Sequence, residues 1–178
     1  MEAEKAESRK QVTIERSTKA YYSTTSLLKK LGYEYQVIVL KKDIIEANKL
    51  QSSELSIPLA TNIYEIKRLL IVEDHPRAIE SSYIAADLIP EFYNVSLENE
   101  PLYTILSEKY NIDIDKSEER IIVAEASKSE RELLKVDGEV MVITGKSYDR
   151  NGQIIELYET VSVCDFFKFK GETIHYDK

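Results

Sequence analysis

One arginine interrupts an otherwise apolar alternating pattern in residues 62–72. The side chains at every second position of that segment are Tyr64, Ile66, Arg68, Leu70 and Val72. A strand here would bury Arg68 in the middle of one face. An unpaired buried guanidinium costs several kcal/mol, so Arg68 needs a partner. If residues 73–75 form a three-residue loop, Glu80 lies opposite Arg68 on the returning strand.

Two interpretations of this pair remain open on the sequence alone. The first is an internal ion pair that only fixes the register of the hairpin, which is the commoner use of such a pattern. The second is a pocket in which Arg68 and Glu80 present both charges to a ligand.

Residues 153–167 have one apolar face and one polar face. The polar face consists of Glu156, Tyr158, Thr160, Ser162 and Cys164. It carries a single charge, which is few for a freely solvated surface, so it could line a cavity. The pattern slightly favours the other interpretation, an outward and partly hydrated face.

Signals for catalysis or metal binding are weak. Cys164 is the single cysteine, and the two histidines, His75 and His175, lie 100 residues apart. Zinc sites need several such ligands at close spacing. Nucleophile motifs, phosphate-binding glycine loops and the H-E-x-x-H motif are absent from the sequence. We therefore expect no enzyme activity, no cofactor and no bound metal.

The composition describes an ordinary globular domain. The chain has 178 residues, 43% of them hydrophobic, and a net charge of -8. An acidic chain without a basic cluster gains little from the counterion release that drives binding to duplex DNA, so we expect no direct DNA contact. With one cysteine and no long apolar run, we expect a cytoplasmic protein without a membrane segment.

Periodicity predicts a mainly antiparallel α+β fold of about six strands and two or three helices. The predicted strands are 35–40, 62–72, 77–85, 120–126, 139–149 and 153–167. Helices are predicted at 100–111 and after a capping box formed by Ser127 and Glu130. Residues 1–20 have mixed charge and predict a linker or a solvated helix.

Four segments together resemble the effector-binding UTRA domain of the HutC subfamily of GntR-type bacterial regulators. They are 23–32, which resembles its opening turn and helix, the hairpin 63–84, the helix and following segment 100–121, and the closing signature 133–169. The match covers about residues 21–169, and the order and spacing of the segments make it specific.

The resemblance implies a chorismate-lyase-like fold, with flanking helices on an antiparallel sheet. It implies that residues 21–178 form an effector-binding and dimerisation domain, and that residues 1–20 connect it to a winged helix-turn-helix domain that would contact DNA. The effector would be a sugar phosphate, a sugar or another small metabolite, and the regulator a repressor. An exposed edge along 153–167 is a second reason to expect a homodimer.

The resemblance also implies ligand contacts. They fall on Ser23, Thr25, Arg68, Glu80, Lys116, Glu156 and Ser162. Hydroxyls and an arginine suit an anionic group, and carboxylates suit hydroxyls or amines. The chain departs from the family at Leu70, Gly145 and Val163, where relatives often have arginines, and at Pro101, where a serine is usual. These changes make a less charged effector plausible.

Two other functions compete with the regulator. A lyase of the same fold could hold a small carboxylate on Arg68 and use Glu156 as a general acid. A binding module that has lost its DNA-contacting domain is the other alternative. The closing segment 133–169 matches the regulators, which favours the first interpretation.

Overall fold

The computed structural model describes residues 12–17, 23–98 and 100–172. The strands are β1 (Ile14–Ser17), β2 (Tyr35–Glu46), β3 (Asn62–Val72), β4 (His75–Ala85), β5 (Ile114–Glu125), β6 (Glu139–Asp149), β7 (Ile154–Val163) and β8 (Phe167–Lys170). The helices are α1 (Thr24–Leu31), α2 (Lys49–Leu55), α3 (Leu102–Tyr110) and α4 (Lys128–Leu134). Within these ranges, none of the helices has the length and apolar character needed to cross a bilayer.

Six of the strands form one antiparallel sheet in the order β2-β3-β4-β7-β6-β5. The predicted mostly antiparallel α+β fold is thus confirmed. The strand β7 lies in the interior of this sheet, between β4 and β6. The expectation of an exposed edge along residues 153–167 was therefore wrong. The edges of the sheet are β2 and β5.

The β3–β4 hairpin brings Arg68 opposite Glu80, as the alternation predicted. The connection is a two-residue turn, not the predicted three-residue loop. Glu73 and Asp74 both have positive φ, 48° and 63°, the turn type whose twist matches two antiparallel strands. A register shift between Leu70 and Ile71 then adds the extra residue on β4. Turn and bulge together give the register of the longer loop.

Local signals set the ends of the helices. The side chain of Ser23 accepts a hydrogen bond from the Ser26 amide at the start of α1, and Gly32, with φ 76°, ends that helix. The predicted capping box of Ser127 and Glu130 is present at α4. The helix α2, which was not predicted, has a capping box of its own, since Asn48 and Gln51 exchange hydrogen bonds.

The N-terminal strand β1 pairs in parallel with β8, in the register Ile14 to Phe167. Val12 and Ile14 are buried in the same hydrophobic cluster as Phe166 and Phe167. The expectation of a linker or a solvated helix is thus wrong for residues 12–17, which are part of the domain. The remainder of residues 1–20 lies outside the described residues.

The two faces of the six-stranded sheet differ in polarity near their centre. The front face, as we name it, is the one to which Arg68, Glu80, Thr160, Tyr158, Glu156 and Ser147 belong by cross-strand register. The helices α1 and α3 lie over this face. On the opposite face, α2 packs through Leu55 against Ile63. The fold therefore places a polar patch between the sheet and two helices.

Candidate ligand-binding site

The centre of the front face is a row of buried polar side chains on three adjacent strands. Arg68 on β3 lies opposite Glu80 on β4, which lies opposite Thr160 on β7. Arg68 is 6% exposed, and its Nη2 donates a hydrogen bond of 2.9 Å to Glu80 Oε2. Removing these charges from water is costly, so the pair stabilises little by itself.

Arg68 is only partly satisfied by this pair. A guanidinium carries five N–H donors in a rigid plane. Arg68 Nε and Nη1 are buried and have no hydrogen-bond partner within the part of the chain that the structure describes. Unsatisfied buried donors cost roughly 1–3 kcal/mol each and more for charged groups. These two donors do not share an edge of the guanidinium, because Cδ lies between them, so each donates a separate hydrogen bond, and the anionic oxygens of a carboxylate or phosphate ligand are suitable acceptors.

A second buried carboxyl group, that of Glu156, lies further along β7. Glu156 is 2% exposed and lies opposite Ser147 of β6. Ser147 Oγ donates to Glu156 Oε2 at 3.2 Å, and the hydroxyl of Tyr103 on α3 donates to the same oxygen. Burial raises the pKa of Glu156, and hydrogen bonds from Ser82, Tyr103 and Ser147 together with the Arg68 charge oppose this only in part. The carboxyl group is therefore biased towards its neutral form, which can donate a hydrogen bond.

These residues surround a cavity between the front face, α1 and α3, which we call the front cavity. Its empty volume is about 470 Å³ with its mouth included, and the centres of water molecules can reach about 40 Å³ of it. That space holds roughly three waters at 10–15 Å³ each. Small-molecule sites usually have volumes of about 300–1,000 Å³. A metabolite would therefore have to widen the cavity on binding.

Five of the seven predicted contact residues line the front cavity: Ser23, Thr25, Arg68, Glu80 and Glu156. Ser23 and Thr25 stand at the start of α1, an end whose free amide groups and dipole favour an anion. The structure thus places an arginine, a helix N-terminus and two carboxyl groups around one space.

The structure does not place the other two predicted contacts in the cavity wall. Lys116 lies on the edge strand β5, with 57% of its side chain exposed, 3.6 Å from Glu118 and over the ring of Tyr148. Ser162 shares the face of Thr160 but is fully buried beyond the cavity. Contact with a ligand stays a prediction for all seven residues.

The polar face is buried at Glu156, Tyr158, Thr160 and Ser162, so the interpretation as an outward, hydrated surface was wrong for these four residues, whereas Cys164 follows β7 and is exposed. Glu156, Tyr158 and Thr160 line the cavity, as the alternative interpretation expected. Sequence reasoning missed Tyr103 and Ser147 as partners of Glu156. Tyr103 follows the apolar spacing that predicts the helix at 100–111, and Ser147 carries no signal until the register of β6 is known.

Tyr158 requires the glycine on the neighbouring strand. The Tyr158 hydroxyl passes over Gly145 and donates a hydrogen bond of 2.6 Å to Glu119 Oε1 on β5. A Cβ at position 145 would lie 2.6 Å from the Tyr158 oxygen, far inside van der Waals contact. Gly145 therefore allows the Tyr158 side chain to cross β6 and reach β5.

A larger concavity lies on the side of the molecule where Leu157 and Glu159 face, and its empty volume is about 1450 Å³ with its mouth included. Its charged side chains are exposed or paired, as in the Lys146–Glu54 ion pair at 3.0 Å. Among the described residues, no group of three or more histidine, cysteine or acidic residues is placed to hold a metal ion. The front cavity, with its buried unpartnered donors, is the better candidate for a ligand site.

Comparison with known proteins assigns this arrangement to a family. The model of the UTRA domain matches residues 30–168. The chain belongs to the UTRA domain family. Proteins named "Probable fructoselysine utilization operon transcriptional repressor" from Escherichia coli O157:H7 and strain K12 are each 22% identical to it over 125 residues. Those residues make up 67% of this chain and 51% of each relative, so the chain spans about half the length of these relatives.

Solved structures share the fold of this UTRA domain. PhnF from Mycobacterium smegmatis superposes with a TM-score of 0.82 at 18% identity, over 93% of this chain and 73% of that chain. Its separately solved effector domain gives a TM-score of 0.79 at 18% identity, over 86% of this chain and 95% of that chain. The C-terminal domain of Yurk from Bacillus subtilis gives 0.69 at 23% identity, over 76% and 94%.

The raised pKa of Glu156 predicts a pH dependence of stability. Neutral Glu156 stabilises the fold, and this contribution is fully present below the ordinary glutamate pKa of about 4.3 and is lost as the pH rises through the raised value. In Glu156→Gln the side chain stays uncharged. We expect its free energy of unfolding, measured by urea titration, to fall less than that of the unchanged domain between pH 4.3 and neutrality.

Glu159→Gln provides the matched control, because Glu159 is exposed on the same strand. Its pH profile should follow that of the unchanged domain. Equal pH slopes for Glu156→Gln and the unchanged domain would mean that Glu156 is charged in the fold despite its burial.

Proposed function

We propose that this UTRA domain binds a small-molecule effector in the front cavity and so controls DNA binding by a transcriptional regulator, most simply a repressor. The observation that carries the proposal is buried Arg68, with two unpartnered donors beside Glu80. The names of its relatives as repressors and effector domains support it. DNA contact would belong to a winged helix-turn-helix domain preceding this one.

The side chains that line the cavity indicate the chemical class of the effector. The unpartnered Nε and Nη1 donors of Arg68 and the N-terminus of α1 suit a carboxylate or phosphate group. Glu80 accepts hydrogen bonds from hydroxyl or amine groups, and Glu156, whose pKa is raised by burial, can donate one when it is protonated. A small metabolite with one anionic end and several hydroxyl groups satisfies all of these groups. Sugar phosphates and sugar acids are of this class.

The cavity must widen to bind an effector, and this conformational change is what would couple effector binding to regulation. The centres of water molecules reach only about 40 Å³ in the structure, too little for a sugar derivative. A ligand therefore favours a wider state in which α1 or α3 has moved from the sheet. A ligand shifts an equilibrium only by its differential affinity for the two states, and a cavity that must widen provides that difference.

Arg68→Ala tests the proposal in a screen of small anionic metabolites by thermal shift and calorimetry. The unchanged domain should bind one class of metabolite, and the variant should stay folded and lose about 2–5 kcal/mol of binding free energy. Arg120→Ala is the matched control, because Arg120 lines the larger concavity on the other side. It should bind like the unchanged domain.

Two results, one from this screen and one from an enzyme assay, would contradict the proposal. Unchanged affinity in Arg68→Ala with a sharply lowered melting temperature would make Arg68 a structural partner of Glu80 only. Release of pyruvate from chorismate by the unchanged domain, lost in Glu156→Gln, would support the lyase alternative, for which Arg68 and Glu156 share the cavity.

We also propose that the domain forms a homodimer. The edge strand β5 is the candidate surface, because Ile121, Ile122 and Val123 on it are 41%, 51% and 54% exposed. An apolar strand at a sheet edge invites pairing with another chain, and a two-fold dimer buries the same patch on both copies. The charged residues on either side of this segment would form the rim of such an interface.

Ile122→Lys tests this surface. We expect the unchanged domain to sediment as a dimer at micromolar concentration. In the variant a two-fold interface would bury two lysines, so the dimer should dissociate to monomer. Ile44→Lys on the other edge strand, where Ile44 is 49% exposed, is the matched control and should remain dimeric. Dissociation by Ile44→Lys alone would move the interface to β2, and a monomeric unchanged domain would contradict the dimer.

A further inference from the structure

A second arginine enters the front cavity from outside the sheet. Arg16 belongs to the N-terminal strand β1, and it lines the cavity together with Arg68. Its Nη2 lies 2.6 Å from Glu119 Oε1, and only 13% of its side chain is exposed. The guanidinium also lies 5.5 Å from the ring centroids of Phe167 and Phe169 on β8, within the range of cation–π attraction.

The carboxylate of Glu119 connects Arg16 to the middle of the sheet. Its Oε1 atom accepts hydrogen bonds from Arg16 Nη2 and from the Tyr158 hydroxyl, each at 2.6 Å. Tyr158 lies on β7, on the front face between Glu156 and Thr160. A path of hydrogen bonds thus runs from β1 through the edge strand β5 to the interior of the cavity.

The charges of the cavity leave room for an anion. Each of the two arginines is paired with one carboxylate, Arg68 with Glu80 and Arg16 with Glu119. The remaining buried carboxyl group, Glu156, is biased towards its neutral form. These side chains therefore add no net negative charge that would repel an incoming anion. The two guanidinium groups in the cavity wall would attract it.

We propose that Arg16 is a second anion-binding residue of the front cavity, and that a bound oxyanion competes with Glu119 for its guanidinium. The inference rests on the proposed function of the cavity. The anion is a phosphate or carboxylate group, because these groups accept paired hydrogen bonds from guanidinium.

The position of Arg16 gives this contact a consequence for the N-terminal segment. The strand β1 is four residues long, and its strand partner is the equally short β8. A strand this short is weakly held by its ladder alone, so a side-chain contact on it matters for its local stability. An anion bound by both Arg68 and Arg16 would link β1 to the six-stranded sheet. Effector binding would then also affect the part of the chain that precedes residue 12.

Inorganic phosphate is the probe, titrated into the isotopically labelled 178-residue chain at constant ionic strength and followed by NMR. We expect saturable shifts in residues of the front cavity. Arg16→Gln should weaken phosphate binding about tenfold, which corresponds to about 1.4 kcal/mol. Glu119→Gln should strengthen it several-fold, because the competitor for Arg16 has lost its charge.

The Glu119 variant separates a binding role from a structural one. If Arg16 only braces the fold through Glu119, neutralising Glu119 leaves phosphate binding unchanged or weaker. The Arg131–Glu125 pair, at 3.1 Å on the surface, is the matched control. Arg131→Gln and Glu125→Gln should leave phosphate affinity unchanged. If Arg16→Gln does not fold, Glu119→Gln decides alone.

Hydrogen exchange provides the second readout. Phosphate should slow exchange at the amides of Ile14–Ser17 in the unchanged chain and leave exchange in Arg16→Gln unaltered. The inference is overturned if Arg16→Gln and Glu119→Gln bind phosphate like the unchanged chain while Arg68→Ala does not, an outcome that keeps the proposed function. Absence of saturable phosphate binding in the unchanged chain overturns it as well, whereas the metabolite screen tests the proposed function independently.

Discussion

The buried pair of Arg68 and Glu80 is the interaction on which the site depends. Both residues lie on inner strands of the sheet, at positions where apolar side chains would pack with no cost in desolvation. Replacing a buried ion pair by apolar residues is often neutral or stabilising by roughly 1–4 kcal/mol. A pair that also leaves two donors of Arg68 unsatisfied is thus poorly explained by stability and well explained by a ligand.

The surrounding elements are arranged around that pair. The start of α1 adds Ser23 and Thr25, and α3 adds Tyr103, which binds the neutral-biased Glu156. These contacts come from elements that lie on top of the sheet, whereas Arg68 and Glu80 come from within it. A ligand that bridges the two layers would change their separation, and this change is the physical basis for coupling the cavity to the rest of a regulator.

The sequence predicted those features that depend on neighbours along the chain. Alternation located β3 and β6 to the residue and placed Arg68 opposite Glu80, and capping residues located the start of α4. Features that depend on distant pairing were not predictable from periodicity. The interior position of β7 follows from its pairing with β4, some 80 residues away, and Tyr103 meets Ser147 across 44 residues. The resemblance to the UTRA domain supplied Ser23 and Thr25, whereas Arg16 was inside a segment interpreted as a linker or a solvated helix.

The double substitution Arg68→Met and Glu80→Leu tests most directly whether the buried pair serves ligand binding and not the stability of the fold. Urea unfolding of this variant should give a free energy of unfolding equal to or higher than that of the unchanged domain, since two desolvated charges become packed apolar side chains. Its response to the anionic metabolite bound by the unchanged domain should be lost. A variant that loses several kcal/mol of stability, or one that still binds the metabolite, would contradict this account of the site.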